Sequence, residues 1–160
     1  MTAEERLREL GIELPEPPPR HEFVPATLAG ETAFVSGHAP YRDGKFLFVG
    51  KVGAELDLAT GQQAAQLALL GCLRALQDSL GTLDAVRQVL KLTGYVNCAT
   101  EFVALPKVTD SASTILVALF GDRGRHARTT VGVSSLPNGV AVEVELIIQI
   151  ALARESGGRL

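Results

Sequence analysis

The chain has no tryptophan, and aromatic residues make up only 5% of it. That is too few for the stacking platforms on which single-stranded RNA binders lay successive bases. An excess of one charge is missing too. Lys and Arg number 15 against 18 Asp and Glu, a net charge of −3 with a pI of 5.6. No global field therefore draws the chain to nucleic acid or to an anionic membrane. No apolar run approaches the roughly 20 residues that span a bilayer. The opening "MTAEERLREL" is acidic, unlike the basic-then-apolar form of a signal peptide, so a cytoplasmic protein is expected. Only two cysteines occur, Cys72 and Cys98, in apolar segments without C-x-x-C spacing. They read as reduced core thiols. His21, His38 and His126 lack the mutual spacing of metal ligands. There is no G-x-S-x-G elbow for a hydrolase triad, and "GDRGR" lacks the strand-to-helix context of a phosphate loop.

What is present is an ordinary globular composition, 46% hydrophobic over 160 residues, enough for one domain with a real core. Thr2 to Leu10 predicts a short amphipathic helix, with Thr2 and Glu5 at capping-box spacing. "ELPEPPPR" (13–20) must be extended, because each proline fixes φ and biases its predecessor away from helix. Residues 1–20 are thus an N-terminal helix with a polyproline connector, ahead of a domain over 21–155. Strands follow through "EFVPATLAG" and "ETAFVSGHAP", and Asp43-Gly44 signals a hairpin with a strand at Lys45 to Val49. Thr60 and Gln63 make a second capping-box pair for a helix to Leu80, with Leu67, Leu70, Leu73, Leu76 and Leu80 on one stripe and Gly81 at its end. Ala85 to Asn97 is β. A second helix is expected with Asp110 as N-cap and Gly121 beyond its end. Strands Ala127–Ser134 and Gly139–Ala153 close the chain as a hairpin. The order predicts an α+β fold, a mixed sheet with two main helices on one face.

In "VAVEVELIIQIALA", Val140, Val142, Val144, Leu146, Ile148, Ile150 and Leu152 alternate onto one face, which should meet the helices. Ala141, Glu143, Glu145, Ile147, Gln149 and Ala151 occupy the other. A half-apolar outer face suggests a second covering layer, most simply another subunit. A two-residue Asn138-Gly139 turn would set Arg128 opposite Gln149. Arg128, Thr130 and Gly132 would then share a face with Glu143 and Glu145. Arg128 would still lie about 20 Å along the strand from Glu143. Either these are solvated surface charges, or they meet groups from a neighbouring subunit. Arg123 and Arg125 add a local basic cluster, which reads as a solvated loop or, alternatively, as a place that favours an anion.

"HARTTVGVSSLPNGVAVEVELIIQIAL" resembles the C-terminal signature of the Rid family (YjgF-type reactive intermediate deaminases, also described as L-PSP endoribonucleases). That signature runs P-A-R, a β run, L-P, a turn residue, then V-E-x-E. His126 stands at its proline. "FVSGHAP" resembles the family's S-G-x-x-P strand end, and order and spacing agree from about residue 20 to 153. The resemblance implies a chorismate-mutase-like single domain and a homotrimer with ligand clefts between subunits.

Carried over by position, the carboxylate-binding arginine falls on Arg128, the water-holding glutamate on Glu143 and the serine–glycine pair on Ser36 and Gly37. Thr130 stands where a small residue, often cysteine, is found. The family's G-P-Y motif is missing, with Phe23 at its tyrosine, and Ser113 replaces a common asparagine. With its N-terminal extension, the chain looks like a longer branch of the family. The implied activity is hydrolytic deamination of enamine or imine intermediates to 2-keto acids and ammonia, with no cofactor. The alternative is a non-catalytic trimer that binds small carboxylates. An endoribonuclease fits the acidic pI less well, since RNA affinity leans on cationic contacts to phosphate.

Overall fold

Thr2 caps the first helix, α1 (Ala3–Glu9). Its side chain accepts from the Glu5 amide at 3.1 Å, and the Glu5 carboxylate accepts from the Thr2 amide at 2.8 Å, the reciprocal box that the spacing predicts. The computed structural model describes residues 1–19 and 22–151; His21, Leu152 and the predicted domain end at 155 lie outside them. Ala3 and Leu7 of α1 are buried in the main core. The proline segment forms neither helix nor strand over 12–19 and is held by the small hairpin: Arg42 donates to the Glu13 carbonyl, and the Gly44 amide to the Glu16 carboxylate.

The main sheet has the order β1–β2–β7–β5–β6, from β1 (Ala26–Ala29), β2 (Thr32–His38), β5 (Val86–Asn97), β6 (Ala127–Val133) and β7 (Val142–Ile150). All its pairs are antiparallel except β5 with β6. A separate hairpin joins β3 (Tyr41–Arg42) to β4 (Lys45–Phe46). Its central residues, Asp43 (φ 53°) and Gly44 (φ 73°), take the left-handed conformations of a type I′ turn. The strand expected to reach Val49 stops at Phe46, because Phe48 also has positive φ (55°).

Helix α2 (Leu58–Leu80) starts earlier than the Thr60–Gln63 pair predicts. Asp57 is the N-cap, accepting from the Thr60 amide at 2.8 Å, and its charge complements the helix dipole. Gly81 (φ 79°) ends it. Leu69, Leu73 and Leu76 are fully buried, each contributing about 1.5–3 kcal/mol by burial. Helix α3 (Leu105–Phe120) also begins earlier than expected: its N-cap is Ala104, and a proline sits in the first turn, where a missing N–H costs nothing. Asp110 is therefore inside the helix rather than its cap. Both helices cover the same sheet face, against Val86, Val89, Leu92, Val142, Val144, Leu146 and Ile148. No helix among the described residues is long and apolar enough to cross a membrane.

The closing hairpin is not there. The Gly139 amide does donate to the Leu136 carbonyl (3.0 Å), with Asn138 at φ 58°, as a type II turn requires. But this turn carries the chain past β5, so that β5 lies between β6 and β7. The β5–α3–β6 crossover makes β6 parallel to β5. The register then reads Arg128–Leu92–Leu146 across three strands, and Val131–Tyr95–Glu143 in another row. Leu92 and Leu146 are buried under the helices, so Arg128 is on the helix face. Glu143 is on the opposite one. The predicted common face for Arg128, Thr130, Gly132 and the two glutamates is thus corrected.

Candidate functional site

A bulge in β2 builds the outer-face half of the site. Val35 pairs with Leu146 and His38 with Val144, so Ser36 and Gly37 together oppose Glu145. The extra residue lets Val35 and His38 both point into the core, where both are buried, and turns Ser36 and Gly37 outward. Ser36 is anchored by its hydroxyl, which donates to the Val24 carbonyl (2.7 Å), and by its amide, which donates to the Pro25 carbonyl (2.9 Å). Gly37 lies directly against Glu143: a Cβ at position 37 would overlap the Glu143 carboxylate. Only glycine lets the backbone and the carboxylate approach this closely.

Burial pushes the Glu143 pKa above the usual carboxylate range, and the neighbouring Glu145 charge adds to the shift. Tyr95, in register with Glu143, donates its hydroxyl to Glu145 at 3.0 Å. Its own pKa is raised by burial and by that carboxylate. Among the described residues, no helix covers this face. Phe34 (44% exposed) and Val131 (39% exposed) flank it, in rows that also hold Ile147 and Tyr95.

The helix-face half is built around Arg128 at the edge strand β6. Its Nη2 meets the Asp110 carboxylate at 2.9 Å and its Nη1 donates to the Ser113 hydroxyl at 3.1 Å. Asp110 and Ser113 are three residues apart on α3, hence on one side of the helix. Ser113 Oγ lies 3.0 Å from His126 Nε2, and His126 Nδ1 lies 2.6 Å from the Gly124 carbonyl. That carbonyl can only accept, so Nδ1 carries the hydrogen and, in the neutral ring, Nε2 accepts from Ser113. Two of the departures from the family's motif, Ser113 and His126, are thus bonded to each other, and Ser113 links them to Arg128. Thr130, two residues on, shares a 2.6 Å hydrogen bond with Thr109 of α3. Gly94 opposite leaves room for the Thr109 methyl.

Six of the seven sequence-predicted positions therefore fall into two groups. Ser36, Gly37 and Glu143 lie together on the outer face; Ser113, Arg128 and Thr130 lie together under α3. Phe23 is 64% exposed and borders a small cavity of about 60 Å³ with Gly37, His38 and Pro17 to Pro19. Arg128 and Glu143 are two strands apart, roughly 14 Å in the sheet plane from strand spacing and rise, and face opposite ways. Sequence reasoning missed Asp110 as an arginine partner, taking it for a cap. Its spacing to Ser113 was the available signal. It also missed Tyr95, which only the register brings to the glutamates. Among the described residues, no cluster of three or more His, Cys, Asp or Glu could hold a metal.

Comparison with known proteins identifies the family and the fold. A family model described as "YjgF/chorismate mutase-like, putative endoribonuclease" matches residues 4–149. Protein TCP17 of Trypanosoma cruzi is 38% identical over 146 residues, 90% of this chain and 91% of its own length. The crystal structure of Atu1372 from Agrobacterium tumefaciens, a protein of unknown function, superposes with a TM-score of 0.87 at 38% identity, covering 94% of each chain. That of a putative endoribonuclease from Shewanella oneidensis gives a TM-score of 0.90 at 32% identity, covering 94% of this chain and all (100%) of the other.

Proposed function

The chain belongs to the YjgF/chorismate mutase-like family, and from that premise we propose that it hydrolyses reactive enamine or imine intermediates of amino acids to 2-keto acids and ammonia. The observation that carries this reading is Glu143. Its carboxyl is held against the backbone of Gly37 on an uncovered sheet face, with its pKa raised by burial and by Glu145. A carboxylate of raised pKa is a better base for an attacking water than an ordinary one. An enamine first takes up a proton at carbon to become the imine; water then adds to the C=N carbon, the C–N bond breaks, and nitrogen leaves as ammonia.

Arg128 supplies the carboxylate-binding guanidinium, a planar fork that a lysine cannot reproduce. Its position on the other face of the same sheet supports a site shared between subunits, with Arg128 from one chain and Glu143 from the next. A homotrimer with its clefts at the subunit boundaries meets that requirement. The half-apolar outer face, with Phe34, Val131 and Ile147, is the surface available for such packing. Ser36 and Gly37 shape the cleft floor and Phe23 borders it, Ser113 holds Arg128, and Thr130, tied to Thr109, lines the same side of the sheet for substrate. The chemistry calls for no cofactor.

The test generates 2-aminoacrylate or 2-iminobutanoate in situ and follows its decay with and without the protein. Wild type should accelerate decay, and Arg128→Ala should lower kcat/KM by about 100-fold or more, each tenfold being about 1.4 kcal/mol. Arg128→Lys should rescue little. Both variants should stay folded, because the half-exposed Asp110–Arg128 pair contributes only about 0–1 kcal/mol. No acceleration by wild type, together with Arg128-dependent binding of 2-ketobutyrate, would mark the chain as a non-catalytic carboxylate binder.

A further inference from the structure

Arg128 is not a bare cation waiting for an anion. Its Nη2 already carries the Asp110 carboxylate at 2.9 Å and its Nη1 the Ser113 hydroxyl at 3.1 Å, while its remaining N–H groups stay available to a ligand. Asp110 is 58% exposed at its side chain and Arg128 24%, so the pair opens to solvent from the Asp110 side. Any carboxylate that docks on Arg128 must therefore lie beside a fixed negative charge. For a plain anion this is unfavourable. For a ligand carrying a positive nitrogen next to its carboxylate it is favourable, because Asp110 then faces the ammonium or iminium while Arg128 faces the carboxylate.

We propose that Asp110 is a specificity-determining residue that makes the Arg128 site prefer dipolar carboxylates with a cationic α-nitrogen over 2-keto acids. The inference rests on the reading of Arg128 as a carboxylate site. In the proposed reaction the consequence is directional. The protonated imine is dipolar and the keto acid is an anion, so Asp110 favours the reactant and weakens retention of the product. Specificity of this kind comes from the repulsive element as much as from the attractive one.

The experiment is a calorimetric titration of matched probes, 2-aminobutyrate and 2-ketobutyrate, into wild type, Asp110→Asn and Arg128→Ala. Asparagine keeps an oxygen that can accept from Arg128 but removes the charge, so the arginine stays placed. Wild type should bind 2-aminobutyrate more tightly. In Asp110→Asn the ratio of affinities should shift toward 2-ketobutyrate by about tenfold, the size expected of one unit charge acting over a few ångströms in a partly solvated site. If the ratio stays put in Asp110→Asn while Arg128→Ala loses both ligands, the carboxylate site stands and the role of Asp110 is overturned. If neither probe binds wild type, or Arg128→Ala binds both as well, the carboxylate reading fails and this inference fails with it.

Discussion

Arg128 and Glu143 project from opposite faces of one sheet, with β5 lying between the strands that carry them. A reaction that uses both cannot take place within one chain. This yields a prediction independent of the substrate's identity. Arg128→Ala and Glu143→Gln should each be inactive alone, yet trimers co-assembled from the two should regain activity. In a cyclic trimer each shared site takes one residue from each of two subunits, so every mixed trimer regains about one site in three. Co-expression with two affinity tags, followed by sequential purification and assay, measures it. Mixed trimers that remain as inactive as the parents would rule out a shared site.

Gly37 and Glu143 offer a second test, internal to one chain. A methyl at position 37 would overlap the Glu143 carboxylate, and forced overpacking of this kind typically costs about 1–3 kcal/mol. Gly37→Ala should therefore be destabilised and lose activity. Glu143→Ala removes the colliding group, so the double variant should recover stability, with at least about 1 kcal/mol of non-additivity in urea unfolding. Strictly additive losses would mean that Gly37 is required for its backbone conformation rather than for the room it leaves.

Features governed by neighbouring residues could be read from the sequence, and features governed by strand order could not. Thr2 with Glu5, Asp43 with Gly44, and Gly81 each act within a few residues, and each appears as read. The Pro137–Gly139 turn is also real. A turn signal, however, says that the chain bends, not which strand it pairs with next. The insertion of β5 between β6 and β7 depends on the crossover through α3, a choice made by packing over the whole sheet. That one misplacement reversed the face of Arg128. The bulge at Ser36 and Gly37 hid in the same way: strict alternation puts Val35 and His38 on opposite faces, whereas both are buried. Asp110 failed for a local reason. A cap-type residue can equally sit one turn inside a helix when an arginine waits across from it, and the proline at the start of α3 was the better boundary marker.

The last prediction concerns the pH dependence that Glu143 brings. Burial, then the charge on Glu145, raises its folded-state pKa above the ordinary value. Between the ordinary carboxylate pKa, about 4.3, and the raised one, the folded chain binds the extra proton and the unfolded chain does not. The contribution of Glu143 to stability is therefore full below the ordinary value and declines as pH rises through the raised one. At neutral pH the ionised carboxylate is a burden on the fold. Glu143→Gln should then be at least as stable as wild type at pH 7. It should also gain less than wild type when the pH is lowered toward 5, which thermal melts at matched ionic strength would measure. Activity should move the other way, falling by about 100-fold or more once the base is gone. Glu145→Gln separates the two causes of the shift. It leaves the burial and removes the neighbouring charge, so the acid limb of the kcat/KM profile should move to lower pH while activity persists. If Glu143→Gln instead loses stability at pH 7 with an unchanged pH slope, the carboxylate is a structural anchor. Its role as the water-activating base would then have to be given up.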